Sequence, residues 1–163
     1  MRKAPLLALL FFFGHLPAEA FDYESYTPTT LDEILDHPPA ISEGMDIFFK
    51  KRDLAATVTE VPGPGTAVIV GRVLRIRGVI SQTQEAPAVN HCVTVKSDMG
   101  KSVRMFLQDV LVETFRVEAP VGTRVRLWVA YLYYGAASRE HGFLVNEFEA
   151  LVGKDVEKSK PGT

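Results

Sequence analysis

VNHCVTVKSDMGKSVRMFLQ, residues 89–108, has the pattern of two β-strands joined by a tight turn. Residues 89–97 and 101–108 alternate apolar with polar side chains, which is the period of a strand with one buried face. Between them, the Asp-Met-Gly sequence at residues 98–100 supplies the turn of a hairpin. We therefore predict a β-hairpin whose strands share one apolar face, and with it a mainly β fold.

Three further strands and one helix are predicted around this hairpin. A first strand is expected over residues 67–80, which are rich in β-branched side chains and contain two glycines where a strand could bend. A helix is expected over residues 110–117, with Asp109 as its N-cap and a proline beyond its end. Two more alternating stretches, residues 123–134 and 141–152, are predicted to be the fourth and fifth strands.

The order of these elements over residues 66–152 resembles that of an OB-fold, a five-stranded Greek-key barrel. Small periplasmic OB-fold proteins of bacteria are the nearest comparison, and it rests on element order because OB-fold sequences share no diagnostic motif. The resemblance implies a closed barrel, and closure would protect the edges that so short a sheet would otherwise expose. A β-sandwich and another kind of small barrel are the alternatives.

Residues 21–65 are expected to form a separate N-terminal segment of short helices followed by a linker. Thr30 and Glu33 fit a capping box, in which the hydroxyl and the carboxylate accept from free backbone amides at a helix start. The helix would be short because Pro38 and the proline after it must end it.

A second helix is predicted within this segment, with Ser42 as its N-cap. Three cations at residues 50–52 would lie near its C-terminal end, where the helix dipole favours positive charge. The Val-Pro-Gly-Pro-Gly sequence at residues 61–65 indicates a linker or sharp turn. At the other end of the chain, residues 153–163 are charged and are expected to form a flexible tail.

Residues 1–20 have the pattern of a cleavable secretory signal. Two cations precede an apolar run over residues 4–13, and Ala18 and Ala20 are small residues at the positions that a signal peptidase recognises. The run is well short of the roughly 20 residues needed to cross a bilayer, which argues against an uncleaved membrane anchor. We expect cleavage between Ala20 and Phe21 and a periplasmic or secreted protein.

Charge and cysteine content limit the classes of partner. Without the leader the chain has 16 basic and 19 acidic side chains, a net charge of −3, so no global basic excess attracts it to nucleic acid or anionic lipid. The single cysteine, Cys92, can form no internal disulfide. Its position among valines favours a buried thiol over an intermolecular bridge or a reactive group.

The alternation also assigns a face to each strand side chain. Outward-facing Trp128, Leu132 and Tyr134 are apolar, so we expect the N-terminal segment to cover them. The side chains predicted to face the core are Val125, Leu127, Val129, Tyr131 and Tyr133 in the fourth strand, Val103, Met105 and Leu107 in the third, Val93 and Val95 in the second, and Leu74, Ile76 and Ile80 in the first.

The outward side chains of the first three strands include several cations and one aromatic ring. An OB-fold binds ligands on this face, so the resemblance implies a ligand site there. Cations suit phosphate or carboxylate groups and a ring stacks on flat ligands, so a single-stranded nucleic acid or an anionic glycan would fit. A solvated face whose cations protect strand edges is the alternative. The candidate ligand-binding residues are Arg75, Arg77, Lys96, Arg104 and Phe106.

The sequence offers no arrangement typical of an enzyme. His37, His91 and His141 are far apart, without His-x-x-x-His spacing or a cysteine pair, so no metal ligands are predicted. There is no Gly-x-Ser-x-Gly motif, and we predict no catalytic residue and no cofactor. The sequence favours a non-catalytic binding or assembly module of the cell envelope that contacts another envelope protein. An oligonucleotide- or anionic-polysaccharide-binding protein is the alternative.

Overall fold

The alternating stretches of the sequence form one mixed sheet with three short helices around it. The computed structural model describes residues 20–65 and 67–151. The predicted tail and all but the last residue of the predicted leader lie outside these ranges. The elements are β1 (Thr27–Pro28), α1 (Leu31–Asp36), β2 (Met45–Pro64), α2 (Val68–Ile76), β3 (His91–Lys96), β4 (Ser102–Leu107), α3 (Val112–Glu118), β5 (Arg124–Gly135) and β6 (Glu140–Ala150), with single 3-10 turns at Tyr23–Ser25 and Asp109–Leu111.

Five of the strands curl into a barrel-like sheet in the spatial order β2-β3-β4-β6-β5, and β5 pairs with β2 again. The long strand β2 makes this possible, because its first part pairs with β5 and its second part with β3. Every one of these pairings is antiparallel except that of β4 with β6, which is parallel. The short strand β1 adds to the side of β2 in parallel.

The predicted hairpin and the two last strands are confirmed. Strands β3 and β4 pair antiparallel from His91 opposite Leu107 to Lys96 opposite Ser102. The first helix is confirmed as well, since the hydroxyl of Thr30 accepts from the backbone N–H of Glu33 at 3.1 Å. The predicted helix after the hairpin is present as α3.

The predicted second helix after Ser42 and the linker at residues 61–65 are wrong, because Met45–Pro64 is the strand β2. The alternation that directs this strand inward is carried by Leu54, Ala56 and Val58, all buried in the barrel. A break in the β2–β3 register between Glu60 and Gly63 accommodates Pro62, and Pro64 is the last residue of the strand, so neither proline occupies a regular central position.

The strand predicted over residues 67–80 is also wrong, because its first part is the helix α2. Val70, Val73 and Leu74 are buried at helical spacing, which outweighs the β propensity of a segment rich in valine and isoleucine. Gly78 has a φ of +67° just after the helix, where the left-handed conformation that ends helices favours glycine. The two glycines therefore do not mark strand bends.

The buried side chains form two clusters. The barrel core fills the inside of the sheet and includes the predicted inward residues of β3 and β4. The α2 core lies between α2 and the outside of β5 and β6, and it includes Val70 and Val73 of the helix and Leu132 and Leu144 of the strands. Because both sides of β5 are covered, nearly all of its residues are buried.

The predicted faces of β5 are confirmed up to Leu132 and exchange at Tyr133 and Tyr134. Tyr131 lies opposite Phe143 and Tyr133 opposite Gly142, so β5 has one more residue than β6 at this point. Such a bulge reverses the alternation. Tyr133, predicted to face the barrel, lies in the α2 core, and Tyr134, predicted to face outward, lies in the barrel core.

Candidate functional site

The barrel-like sheet is incomplete where β4 meets β6. The parallel ladder between them consists of Phe106 opposite Leu144 and Leu107 opposite Val145. Beyond it, Gln108 donates to Asn146 at 2.9 Å and so joins the two strands at that end. Toward the other end, residues 102–105 pair with β3 alone and residues 140–143 with β5 alone, within the part of the chain that the structure describes. We call this unpaired stretch the open seam.

A cleft of about 690 Å³ lies at the open seam. Its walls are the start of β4, the end of β5 with the following loop and the start of β6, and the C-terminal end of α1. Its volume is in the range of about 300–1,000 Å³ that small-ligand sites occupy. The lining residues are Leu35, Asp36, Pro38, Lys101, Ser102, Val103, Arg104, Tyr134, Arg139, Glu140 and His141.

The helix α1 forms one wall of the cleft because both of its faces are engaged. Leu31 and Ile34 are buried in the barrel core. On the side of the β3–β4 turn, Asp32 accepts from the backbone N–H of Met99 at 3.1 Å. One turn later, Asp36 forms an ion pair with Lys101 at the start of β4. These contacts hold the helix across one end of the open seam.

The charges that line the cleft are three cations and two carboxylates. Lys101 and Asp36 pair with each other. Glu140 accepts a hydrogen bond from the hydroxyl of Tyr133 at 3.0 Å. Arg104 is exposed, and its guanidinium donates to the carbonyl of Pro64 at 2.7 Å and lies beside the thiol of Cys92. A guanidinium carries five N–H donors, so Arg104 retains donors for a ligand.

An aromatic group lies behind the polar rim. The ring of Tyr131 stacks on Phe143 with centroids 4.7 Å apart, and His141 lies 4.8 Å from Tyr134. The Tyr131 hydroxyl and Nδ1 of His141 are 2.9 Å apart. Burial lowers the pKa of His141, because the charged imidazolium is less well solvated there. At neutral pH the histidine therefore adds no charge to the cleft.

The predicted basic face does not assemble as expected. Arg75 lies on α2, where it donates to the carbonyl of Gln84 at 3.1 Å, and Arg77 directly follows that helix, so neither projects from a strand. Phe106 is half-buried against the α2 core. Lys96 is exposed on β3, and Arg104 is the one predicted site residue that lines the cleft.

Residues that the sequence did not single out form the rest of the cleft. Lys101, Arg139 and His141 were not grouped, because their proximity depends on a parallel pairing between distant strands. One signal could have found two of them: ligands of an OB-fold are also contacted by the loop between its last two strands. Here that loop precedes β6 and contains Arg139, with His141 just after it.

Cys92 and Trp128 both have packing roles, as their sequence surroundings indicated. Cys92 is buried beside Gly65, and burial raises the pKa of its thiol. A side chain at Gly65 would collide with the sulfur. Trp128 is buried under Tyr23, whose ring centroid is 4.7 Å away, and the guanidinium of Arg126 lies 4.8 Å from its ring. Neither residue contributes to the cleft.

Asp109 holds the start of β3 instead of capping a helix. Its carboxylate accepts from the backbone N–H of Asn90 at 2.7 Å and from that residue's side-chain amide at 2.6 Å. Nδ1 of His91 lies 3.0 Å from the same carboxylate. These hydrogen bonds, that from His91 above all, lower the pKa of Asp109 to about 2. The carboxylate therefore stays ionised in the folded protein at pH values where an unfolded chain would protonate it.

Replacing Asp109 with asparagine is expected to weaken the acid dependence of stability. A lowered folded-state pKa stabilises the protein above pH 4, and this contribution is lost as the pH falls toward 2. Urea midpoints measured between pH 2 and pH 6 should fall less steeply in Asp109→Asn than in the wild type. Glu118→Gln, at an exposed position of α3, is the control and should keep the wild-type slope. Parallel curves for Asp109→Asn and the wild type would contradict the prediction.

Comparison with known proteins assigns no family: no family model matches this chain, and no curated protein matches its sequence significantly. Within residues 20–65 and 67–151, no three His, Cys, Asp or Glu side chains converge as metal ligands would. None of the helices in these ranges combines the length and the apolar character needed to traverse a bilayer.

Proposed function

We propose that this protein is an exported, non-catalytic binding module of the cell envelope, which holds a protein partner in the cleft at the open seam. The open seam is the observation that carries this proposal. A mainly β protein of this size closes or covers its strand edges, because unpaired backbone groups pair with other chains. A cleft lined by such edges and by charged side chains is a natural place for a partner to bind.

The strand order supports an OB-like barrel for this module. If β2 is counted as the first barrel strand, the order β2-β3-β4-β6-β5 becomes first, second, third, fifth and fourth, with the fourth returning to the first. This order is the one expected of a partly open, five-stranded Greek-key barrel, and the place of α3 between the third and fourth of these strands supports the same assignment. In this assignment α2 belongs to the long connection between the first and second strands.

The chemistry of the cleft favours binding over catalysis. Its carboxylates are engaged, Asp36 with Lys101 and Glu140 with Tyr133. Nδ1 of His141 lies within hydrogen-bond distance of the Tyr131 hydroxyl. The pKa of that hydroxyl is raised by burial, so it is a poor nucleophile at neutral pH. These groups support the shape of the cleft and do not form an activated pair.

The leader pattern of residues 1–20 supports export, and we propose a periplasmic or secreted location with cleavage after Ala20. The structure is compatible with this cut, because Ala20 is exposed and Phe21 packs within the folded protein. The ring of Phe21 lies 5.3 Å from that of Tyr26 and 4.7 Å from that of Tyr23. Cleavage between Ala20 and Phe21 would leave these contacts intact.

A single-stranded oligonucleotide or an anionic glycan is the second candidate ligand. The exposed guanidinium groups of Arg104 and Arg139 in the cleft favour it, since guanidinium binds phosphate and carboxylate. The two classes differ in their salt dependence. Binding of a polyanion releases counterions and weakens steeply as salt rises, whereas binding of a folded or extended protein partner depends on salt much less.

Photo-crosslinking in the native envelope tests the proposed function. A benzoylphenylalanine placed at Ser102, which is exposed on the cleft edge of β4, should crosslink to a protein. The same residue placed at Thr114, exposed on α3, is the matched control and should give no such product. Equal products at both positions, or none at Ser102, would overturn the proposal. A product containing nucleic acid or glycan would favour the second candidate instead.

A further inference from the structure

We propose that the occupant of the cleft is an extended segment of a partner polypeptide that adds as a strand at the open seam and presents a carboxylate to Arg139 and Arg104. This inference rests on the proposed function and specifies how the partner binds. The partner segment would be extended, would pair with the edges of β4 and β6 at the open seam, and would carry an acidic side chain that the cleft recognises.

The backbone at the open seam is the first argument for strand addition. A strand directs the N–H and C=O groups of alternate residues to its two sides. Pairing of β4 with β3 uses one side of residues 102–105, and pairing of β6 with β5 uses one side of residues 140–143. The opposite sides of both stretches face the open seam. An extended peptide can satisfy such groups with its own main chain, as in other complexes formed by strand addition.

The size of the open seam matches a short peptide strand. Each strand has four residues whose side toward the open seam is unpaired, which corresponds to a length of about 13 Å at the rise of a β-strand. The cleft of about 690 Å³ lies along this length. Val103 and Tyr134 add apolar surface to a rim that is otherwise polar, so a bound strand would find contacts for its side chains as well as for its backbone.

Arg139 indicates the charge of the bound segment. It is the one non-glycine residue with positive φ in the described parts of the chain, at +53°. An arginine in the left-handed conformation is strained compared with glycine, because its Cβ approaches the backbone carbonyl oxygen. The sequence nevertheless has a long cation at this exposed turn, and its side chain lines the cleft. A role in binding a carboxylate explains why a residue with a charged side chain occupies a position that favours glycine.

The two carboxylates of the cleft favour a peptide over a polyanion. Asp36 and Glu140 line the same space as Arg104 and Arg139. A polyphosphate or an acidic glycan would place one negative charge after another along the cleft, where Asp36 already pairs with Lys101 and only Arg104 and Arg139 remain to meet them. An extended peptide with a single acidic side chain can direct its carboxylate to the arginines, while its backbone amides face the acidic residues.

Hydrogen exchange with a defined probe tests this inference. The probe is the capped hexapeptide Thr-Val-Glu-Val-Thr-Val, added at up to millimolar concentration to the processed protein. Strand addition should slow amide exchange in residues 102–105 and 140–143 and leave α3 unaffected. A peptide with glutamine for glutamate should bind about tenfold more weakly, the usual effect of losing a charge-assisted hydrogen bond. A peptide with alternate backbone amides N-methylated should not bind.

Two variants separate the carboxylate contact from folding. Arg139→Gly removes the cation and relieves the left-handed strain, so the fold should be kept while affinity for the glutamate peptide falls to that of the glutamine peptide. Arg77→Glu changes an exposed cation just after α2 and is the matched control, with unchanged affinity expected. Equal affinities of wild type and Arg139→Gly would overturn the carboxylate contact.

The peptide and crosslinking experiments together distinguish failure of strand addition from failure of the proposed function. Unchanged exchange at both seam stretches with the glutamate peptide, or equal binding of the N-methylated peptide, would overturn strand addition. If Ser102 still crosslinks to an envelope protein, the proposed function stands and only this binding mode is excluded. If the crosslink is absent as well, both fail.

Discussion

Phe115→Ala is expected to lower the free energy of unfolding by about 3–5 kcal/mol, the usual cost of removing a buried phenylalanine side chain. Phe115 is fully buried in the barrel core, and its ring lies 4.6 Å from that of Phe148. It is the larger of the two α3 side chains that are buried in the barrel core, the other being Val112. Because domains are stable by about 5–15 kcal/mol, this loss should be large in a urea unfolding curve followed by circular dichroism.

The same helix offers a matched control for this prediction. Val117 is 79% exposed, so Val117→Ala should change the free energy of unfolding by less than about 0.5 kcal/mol. A loss below 1 kcal/mol for Phe115→Ala would mean that α3 does not close the barrel. The helix between the third and fourth barrel strands would then be a surface feature, which would weaken the case for an OB-like barrel.

Local patterns were sufficient to predict the second half of the barrel-like sheet. The β3–β4 hairpin and the strands β5 and β6 each combine alternation with a turn signal, and each pairs with a neighbour close in sequence. The N-cap hydrogen bond of Thr30 is local in the same sense, but the capping box is only half formed, because the Glu33 carboxylate accepts from the Thr29 hydroxyl and not from a backbone amide. In all these cases the signal and the structure it predicts lie within a few residues of each other, so no distant contact was needed to interpret it.

The first half was misassigned because composition and burial disagree there. Half of residues 67–76 are β-branched, yet burial of Val70, Val73 and Leu74 against the outside of the barrel favours a helix. Near the start of β2, bulky apolar side chains are followed by the cations at residues 50–52, and this order is typical of the C-terminal part of a helix. In the folded protein β5 and β3 pair with β2, and the weaker alternation from Leu54 to Val58 determines which side chains face the barrel core.

The cleft could not be predicted from the sequence because it depends on where two distant strands stop pairing. Nothing local in residues 102–105 or 140–143 indicates that the parallel ladder begins only at Phe106 and Leu144. Arg104 was selected for its charge and its place on a strand, and it does line the cleft. Arg75 was selected by the same reasoning applied to a segment that is helical, and so it lies elsewhere.

Gly142→Ala is expected to lower the free energy of unfolding by about 3 kcal/mol, as overpacking of a closely packed site does. Gly142 lies opposite Tyr133 at the bulge of β5, and a Cβ atom at this position would overlap the tyrosine ring. The ring cannot move freely, because it is 3% exposed within the α2 core and its hydroxyl donates to Glu140. The substitution would therefore also disturb the start of β6, which lines the cleft.

A control and a double variant identify the cause of that loss. Gly63→Ala adds a methyl group where no other atom lies within 4 Å, so its effect should stay below about 0.5 kcal/mol. In a Tyr133→Ala background the ring is gone, and adding Gly142→Ala should then cost less than about 1 kcal/mol, a strong departure from additivity. If the full loss persisted without the ring, the close approach of Gly142 to Tyr133 would not be what requires glycine at this edge of the cleft.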